Sequence, residues 1–331
     1  MLTRRATLAA PLLAAPLLAA PLLTSAPALA AETVRIGQAT TSLSFLPLWA
    51  ARALDTFGPQ GLALSWAAIP GGDPAALAAL DSGDLDLAAV GGETALQAIG
   101  KGQPFSLVYS LMSRMSLDLV VGPAVAAKPS DDLGTRLAAM RGITVGVSAV
   151  GGTQDRAVRW LAAKGGLART ALQVAMVGGP PALQAALENK RIDAFILSPP
   201  EAQIAEAGGY GHTLISLATD FPELRALPFL ALVARRPFAN PDRIRGTVRA
   251  LQAAARAVQA DPDGTADAIA AKFFPKAPPG TVRAATRSMR DGVTDGALSA
   301  ASIGALATFG ADSGNPIPGI GPDAWTDHFI E

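Results

Sequence analysis

Two glutamates and one arginine are the side chains whose types and positions could do chemistry. Glu93 and Glu201 each follow a Gly or Pro turn, and a pair of such acids could act as general acid and base. Glu93 also fits the first turn of a helix, where the helix dipole favours an acid. Arg114 could bind an anion through two parallel N–H groups, or it could pair with Asp118 or face solvent as a hinge residue.

Other catalytic and metal-binding patterns are missing from the sequence. The absence of cysteine excludes disulfides, thiolate catalysis and Cys-bound metals. His212, which we place in a late loop, and His328, near the C-terminus, have no partner at zinc-ligand spacing. The glycines of 146–152 fit neither a dinucleotide fingerprint nor a P-loop, and no G-x-S-x-G elbow occurs. We therefore expect a binding protein and not an enzyme, with no cofactor and no metal.

Composition indicates a sizeable aliphatic core and no affinity for nucleic acid. Half of the residues are hydrophobic and only 5% are aromatic. The chain has 27 Lys and Arg residues and 27 Asp and Glu residues, so loss of Arg4 and Arg5 with a leader would leave 25 basic residues against 27 acidic ones. Because no basic stripe or charge run occurs, we expect no nucleic-acid partner.

Residues 1–30 have the three parts of a secretory signal peptide. A long uncharged run follows Arg4-Arg5 and closes with Ala28-Leu29-Ala30, which fits a cleavage site. Prolines within the run make it a poor membrane-spanning helix, although an uncleaved anchor is the alternative. The arginine pair also fits twin-arginine export. We expect cleavage and a periplasmic location.

The elements that must position the polar residues begin at Glu32, where strand-like and helix-like segments start to alternate. This order is typical of mostly parallel sheets covered by helices. In the first series we predict strands at 34–37, 62–69, 85–90 and 105–111, with helices at 48–54, 75–80 and 93–99. In the second we predict strands at 117–122, 143–147, 172–177, 192–197 and 229–234, a short helix opening at 129–133, and helices at 154–164, 181–189, 241–260, 264–274 and 300–309.

The two series resemble each other and predict two lobes. Each contains a helix end, a turn, an aspartate between apolar residues and a strand, at 80–88 and again at 187–195. The same pattern also permits two stretches of a single sheet. We expect two crossovers, near Ser113–Leu117 and Ala218–Phe229, with the last helices returning to the first lobe.

The order of several motifs resembles one family. Val34-Arg35-Ile36-Gly37, Pro47-Leu48-Trp49-Ala50-Ala51, Arg141-Gly142-Ile143-Thr144-Val145-Gly146-Val147, Ile192-Asp193-Ala194 and Arg236-Pro237-Phe238-Ala239-Asn240-Pro241 occur in sequence behind the export signal. This set is similar to the solute-binding proteins of bacterial ABC importers, in the nitrate/sulfonate/taurine and thiamine-precursor branch. The resemblance spans nearly all of the mature chain.

The resemblance implies an α/β, two-lobed periplasmic-binding-protein-like fold of type II, in which each lobe is a mixed sheet with flanking helices. It also implies a hinged cleft between lobe 1 (31–114 plus 226–331) and lobe 2 (115–225). In such sheets ligands bind where strands end and helices begin, since helix N-termini offer free N–H groups. The expected ligand contacts are Ser42, Leu43, Ser44, Phe45, Gly72, Asp73, Gly92, Glu93, Thr94, Arg114, Ser148, Gly152, Thr153, Gln154, Ser198 and Glu201.

The chemistry of these turns favours a small organic anion that also carries a hydrogen-bond donor. Hydroxyls and N–H groups suit a sulfonate or carboxylate, whereas the acids would repel nitrate. The scarcity of aromatic residues disfavours a large flat ring. The expected partner is an ABC permease in the inner membrane, and we expect a monomer. An exported sensor or accessory protein of the same fold, or a binder of a thiamine-precursor pyrimidine, remains open.

Overall fold

Two five-stranded mixed sheets carry the fold. The computed structural model describes residues 31–168 and 170–330, so the signal-peptide prediction for residues 1–30 lies outside the described residues. The first sheet contains β1 (Glu32–Gln38), β2 (Leu62–Ala68), β3 (Leu87–Gly91), β4 (Phe105–Met112) and β10 (Leu230–Arg235). The second contains β5 (Asp118–Val121), β6 (Thr144–Val147), β7 (Gln173–Met176), β8 (Ala194–Leu197) and β9 (His212–Ser216).

The two sheets have the same topology. Their strand orders are β2-β1-β3-β10-β4 and β7-β6-β8-β5-β9. In each sheet the fourth strand in this order is antiparallel to both neighbours, whereas the first three strands are parallel. The prediction of two lobes with mixed sheets is therefore confirmed, and the alternative of one continuous sheet is wrong.

The internal repeat noticed in the sequence has a structural cause. The Asp86 carboxylate accepts a hydrogen bond from the Arg35 backbone N–H at 2.7 Å, just before β3. In the second sheet the Asp193 carboxylate accepts from the Thr144 N–H at 2.8 Å, just before β8. Each aspartate thus links the start of one parallel strand to the neighbouring strand. These links lie at the edge of the sheet opposite to the strand ends that carry the predicted site.

Helices cover both sheets. Their starts follow ordinary capping chemistry: Asp132, Asn240, Asp261 and Ser299 each accept a hydrogen bond from a backbone N–H of the following turn. The helices are α1 (Leu46–Leu54), α2 (Gly72–Asp81), α3 (Gly92–Gly100), α4 (Leu133–Ala138), α5 (Thr153–Lys164), α6 (Pro180–Glu188), α7 (Glu201–Ala207), α8 (Leu217–Asp220), α9 (Pro241–Ala260), α10 (Pro262–Phe273), α11 (Thr281–Met289) and α12 (Ala300–Asp312).

The chain passes between the sheets twice. Residues 113–117 lead from β4 to β5, and residues 217–229, which contain α8, lead back to β10. The two connections leave the second sheet side by side, because the Leu217 N–H donates to the Leu117 carbonyl at 2.9 Å. Hinge motion would therefore involve both connections together.

The last helices do not all return to the first sheet. Helices α9 and α10 pack on α1, but α11 contacts α7 and α12 contacts both α3 and α5. Ring packing shows the same bridge, since Phe309 of α12 lies against Trp160 of α5 with ring centroids 5.8 Å apart. The expectation that the final helices go back to the first lobe is thus incomplete, and α12 is shared by both lobes.

Several elements were absent from the sequence interpretation. Helices α7, α8 and α11 and strand β9 were not expected, and His212 is the first residue of β9, not part of a loop. These elements are short, and His212-Thr213 makes the start of β9 polar, so local pattern gives little signal. Within 31–168 and 170–330, no helix has the length and apolar character needed to cross a bilayer.

Candidate functional site

The predicted site residues lie where strands of both sheets end, and the two edges face each other. The direct proof is an ion pair between the lobes: Arg156, in the first turn of α5, donates from Nε to Glu93 Oε2 of α3 at 2.8 Å. Both side chains are nearly inaccessible, with 11% and 4% of their surface exposed. The glycine-rich turns after β3 and β6 therefore meet across one cleft.

The turn after β1 is tied to the first connection through hydroxyl groups. Ser42 Oγ donates to Ser44 Oγ at 3.2 Å, and Ser116 Oγ reaches the same oxygen at 3.3 Å. Leu43 and Phe45 lie in the hydrophobic core, with 1% and 2% exposed. Of the residues predicted in this turn, Ser42 keeps the most accessible side chain.

The turns after β2 and β3 join through Asp73. Its carboxylate accepts from the Gly91 N–H at 3.1 Å. Loss of hydration raises the pKa of Asp73, while hydrogen bonds from Gly91 and Thr94 and the charge of Arg156 oppose the rise. Gly72 has φ +71°, which suits glycine because side-chain-bearing residues rarely adopt it. Asp73 therefore connects the two turns, and burial favours the neutral form of its carboxyl group.

Gly92 allows the closest approach in the cleft wall. A Cβ atom at this position would lie 1.9 Å from the carbonyl oxygen of Pro228, in the second connection. The same added atom would lie 3.0 Å from Leu306 of α12. Glycine at the start of α3 is therefore required for packing, independently of any ligand.

The turn between β6 and α5 is closed by its own side chains. Gln154 Oε1 accepts from the Ser148 N–H at 2.8 Å, and Asp155 Oδ2 accepts from the Gly151 N–H at 2.8 Å. Asp155 is also paired with Arg159 at 2.9 Å. Gln154 thus shapes the turn from within, and Gly152 and Thr153 lie at the start of α5.

Glu201 and Ser198 belong to the edge of the second sheet. Gln184 of α6 donates from Nε2 to Glu201 Oε2 at 2.8 Å and accepts at Oε1 from the Tyr210 hydroxyl at 2.7 Å. Burial raises the pKa of Glu201, and the Gln184 hydrogen bond opposes this. Glu201 and Glu93 lie in different lobes with different partners, so the structure does not present them as a coupled acid–base pair.

Arg114 has a partner that neither sequence interpretation named. Its Nη1 lies 3.4 Å from Asp291 Oδ2, whereas the two alternatives were Asp118 and solvent. Asp291 follows α11, far along the chain, so spacing could not identify it. This pairing places Arg114 beside the segment that follows α11, whereas Arg156 lies between the two facing strand edges.

Two charged residues were missed by sequence reasoning. Arg156 lies one turn beyond the glycine-rich segment 146–152, and its position three residues after Thr153 is the available sequence signal. Asp118 is the first residue of β5, beside Leu197 and Ser216, and is 8% exposed. Burial raises its pKa to about 6, helped by the negative charges of Glu206 and Asp220 and opposed by the Ser216 hydrogen bond. The sequence signal for Asp118 is an acid at the start of an otherwise apolar strand.

The aromatic residues near these turns pack in the hydrophobic core. Trp49 packs against Trp66, Phe273 and Phe274 with centroid distances of 5.2–5.5 Å, and its Nε1 donates to the Ser42 carbonyl at 2.8 Å. Among the described residues, no group of three or more His, Asp or Glu side chains could hold a metal ion. The cleft therefore offers one guanidinium, several carboxylates, hydroxyls and backbone N–H groups.

A cavity of about 420 Å³ lies at the opposite edge of the first sheet and differs from the cleft in chemistry. Its three arginines are all paired with acids, since Arg35 and Arg243 both lie 2.8 Å from Asp86, Arg243 also contacts Glu32, and Arg235 lies 3.1 Å from Asp81. These pairs leave the cleft as the better candidate site.

Comparison with known proteins agrees with this architecture. A structure from Bordetella bronchiseptica RB50 has a TM-score of 0.71 and 23% identity, covering 90% of this chain and 95% of that chain. The periplasmic aliphatic sulphonate-binding protein of Escherichia coli has a TM-score of 0.67 and 20% identity, covering 84% and 90%. The periplasmic nitrate-binding protein of Synechocystis PCC 6803 has a TM-score of 0.60 and 15% identity, covering 85% and 80%.

At these identities the likeness establishes the fold. No curated protein sequence matches the chain significantly. The family resemblance expected from the sequence is confirmed by the family model, and the structures with the same fold include proteins named for binding aliphatic sulphonate and nitrate. Residues 28–273, which make up most of the chain, match the model of the NMT1-like family. The protein therefore belongs to that family.

Proposed function

We propose that this protein is the periplasmic solute-binding component of an ABC importer and that it captures a small organic anion in the cleft between two lobes. Lobe 1 comprises residues 31–114 with 226–331, and lobe 2 comprises residues 115–225. The observation that carries the proposal is the meeting of Arg156 and Glu93 across the cleft, at the starts of α5 and α3. The solved structures with the same fold include periplasmic proteins named for binding aliphatic sulphonate and nitrate, which supports the proposal.

The ligand's anionic group, a sulfonate or carboxylate, binds the guanidinium of Arg156 and the turn formed by Ser148, Gly152 and Thr153. A guanidinium matches the geometry of such anions, and the start of a helix adds N–H groups and a positive dipole end. Ser42 and Thr94 contribute hydroxyls from the first lobe. The cleft thus binds the ligand from both sides, which couples binding to closure of the lobes.

The other end of the ligand carries hydrogen-bond donors. Asp73, Asp118 and Glu201 all lie at the cleft-facing ends of strands, and burial raises the pKa of each. Acceptors of this kind suit an amine or hydroxyl and oppose a second negative charge. Nitrate, which has only acceptor atoms, gains nothing from them.

A thiamine-precursor pyrimidine is the second candidate, because the same carboxylates would accept from an aminopyrimidine ring. A small ring is compatible with the cleft, but Trp49 and Phe45 are buried in the core and do not offer a stacking face. The organic anion remains the better match since it also uses Arg156.

The location and the partner follow from the same proposal. Residues 1–30 act as a cleaved signal peptide that delivers the protein to the periplasm, by the twin-arginine or the general route. The loaded protein passes its solute to an ABC permease in the inner membrane and acts as a monomer.

A thermal-shift screen of alkanesulfonates, taurine, aromatic carboxylates, nitrate and aminopyrimidines tests the function. Binding raises the free energy of unfolding by about 2.7 kcal/mol when the free ligand is at a hundredfold excess over Kd. We expect sulfonates or carboxylates to raise the melting temperature of the wild type and to lose this effect in Arg156→Gln. If only aminopyrimidines raise it, equally in both proteins, the anion proposal is wrong.

A further inference from the structure

We propose that Glu93 is a positioning residue that orients the guanidinium of Arg156 from the opposite lobe, so that this guanidinium reaches its binding orientation only when the lobes close. The proposal rests on the proposed function, in which Arg156 binds the anionic group. It gives Glu93 a role different from the direct ligand contact expected from the sequence.

The contact between the two residues is long-range and buried. Glu93 follows β3 of the first sheet, whereas Arg156 follows β6 of the second, and they are 63 positions apart. Each belongs to the first turn of its helix, so neither side chain can reach the other unless the two strand edges face each other closely. The ion pair is therefore a property of the closed cleft.

The hydrogen bonds of Arg156 leave part of its guanidinium for a ligand. An arginine has five N–H donors. One of them donates to Glu93, one to the Gly151 carbonyl and one, at 3.4 Å, to the Thr153 hydroxyl. The bond to Glu93 is the only one of these three that comes from the other lobe, so it is the one that depends on how close the lobes are.

Glu93 is itself held in place by the segment that follows α12. Its second oxygen, Oε1, accepts from Asn315 Nδ2 at 3.1 Å. The Asn315 carbonyl in turn accepts from Gln97 Nε2 of α3 at 3.0 Å. Each carboxylate oxygen thus already accepts a hydrogen bond within the protein, which suits a group that orients a neighbour.

Removal of Glu93 would act on closure as well as on orientation. With an amide in its place, the closed cleft would bury the charge of Arg156 without the carboxylate that contacts it, leaving only the influence of Asp73, which is unfavourable. In an open cleft the guanidinium is hydrated and this cost disappears. The equilibrium between closed and open forms would shift toward open, and ligand affinity would fall with the closed fraction.

A solvent-exposed lysine of the same helix provides the matched control. Lys164 of α5 lies 3.1 Å from Glu223 and 3.9 Å from Asp312 of α12, but these side chains are 36–48% exposed. A solvated pair of this kind contributes little to stability. Lys164→Gln therefore removes a charge from the same helix without affecting Arg156.

The first experiment is a double-mutant cycle on ligand binding, measured by calorimetry with ethanesulfonate and taurine as probes. We expect Glu93→Gln to weaken binding by about tenfold or more, and Arg156→Gln to weaken it further. The double variant should bind no more weakly than Arg156→Gln alone, because Glu93 acts through Arg156. Lys164→Gln should bind as the wild type does. Wild-type affinity in Glu93→Gln, or strictly additive losses, would overturn the proposal.

The second experiment needs no ligand and separates this inference from the proposed function. The chain has no cysteine, so Leu54→Cys and Met176→Cys, on the two lobes and 40% and 71% exposed, can carry spin labels for distance measurement. In the ligand-free protein we expect Glu93→Gln to lengthen the distance and the added Arg156→Gln to restore it. Identical distances in all variants would refute the positioning role. Failure of every anion to bind the wild type would instead refute the proposed function, and the distances would still decide the role of Glu93.

Discussion

Buried acids set the character of the cleft at the scale of single residues. Asp118 shows this most clearly, because it is 8% exposed and the charged groups that act on it, Glu206 and Asp220, are also acids. In the unfolded chain its carboxyl has an ordinary pKa of 3.8, whereas burial raises the pKa to about 6 in the folded protein. The folded state therefore binds this proton more tightly, and the stability of the protein falls as pH rises from about 4 to 6.

Asp118→Asn tests this linkage. Raising the pKa from 3.8 to about 6 corresponds to roughly 3 kcal/mol of stability that the wild type loses as pH rises through this interval. We expect the variant to be more stable than the wild type at pH 7.5 by up to this amount, and the difference to shrink to about 1 kcal/mol at pH 4.5, because most of the wild-type carboxyl is then protonated in the folded protein. Urea unfolding at both pH values measures the difference. Asp242→Asn, at a side chain that is 93% exposed, is the control. An equal difference at both pH values would contradict the assignment.

The sequence indicated which turns lie at the facing strand ends but not how their charges pair. Glu93 and Glu201 were identified because acids after glycine or proline turns are locally visible. Their partners Arg156 and Gln184, and the pairing of Arg114 with Asp291, depend on contacts between distant segments. Such contacts are fixed by the packing of the lobes, which no local pattern encodes.

Strands and helices with strong periodicity were predictable at the scale of elements, and short ones were not. Strands β1 to β8 and helix α9 were expected close to their observed positions, because apolar runs bounded by turns and a long amphipathic stretch give clear signals. Strand β9 and helices α7 and α11 are formed through tertiary contacts, such as that between α7 and α11. Gly92, at the start of α3, was expected to contact a ligand. Its packing against the second connection is not visible in the sequence.

Gly92→Ala tests that packing. The added methyl group would lie 1.9 Å from the Pro228 carbonyl oxygen, so α3 or the second connection must move. We expect a loss of about 1–3 kcal/mol or more in the free energy of unfolding, as for other overpacked sites. Gly304→Ala, in α12 with open space around it, is the matched control and should gain up to about 1 kcal/mol from helix propensity. Chemical denaturation of the three proteins measures both effects; a neutral Gly92→Ala would show that this contact is not tight.

The two lobes share one core at the scale of the whole molecule. A single hydrophobic cluster contains Val34 and Leu107 of the first sheet together with Val145 of the second. Trp160 of α5 and Phe309 of α12 belong to the same cluster, whereas a smaller cluster around Phe195 lies between the second sheet and helices α6 and α7. A shared core should make unfolding of one lobe expose the other, so the lobes should not unfold independently.

We therefore expect one calorimetric unfolding transition in the ligand-free protein, with equal calorimetric and van't Hoff enthalpies. Phe309→Ala should lower the free energy of unfolding by about 3–5 kcal/mol, since a ring that is 1% exposed leaves a cavity between the lobes. It should also broaden or split the transition, because Phe309 is the ring of α12 that contacts Trp160 of the second lobe. Met176→Ala, at a side chain that is 71% exposed, should change neither quantity. Two separate transitions in the wild type would show that the lobes are thermodynamically independent, and that α12 rests against the second lobe without coupling it to the first.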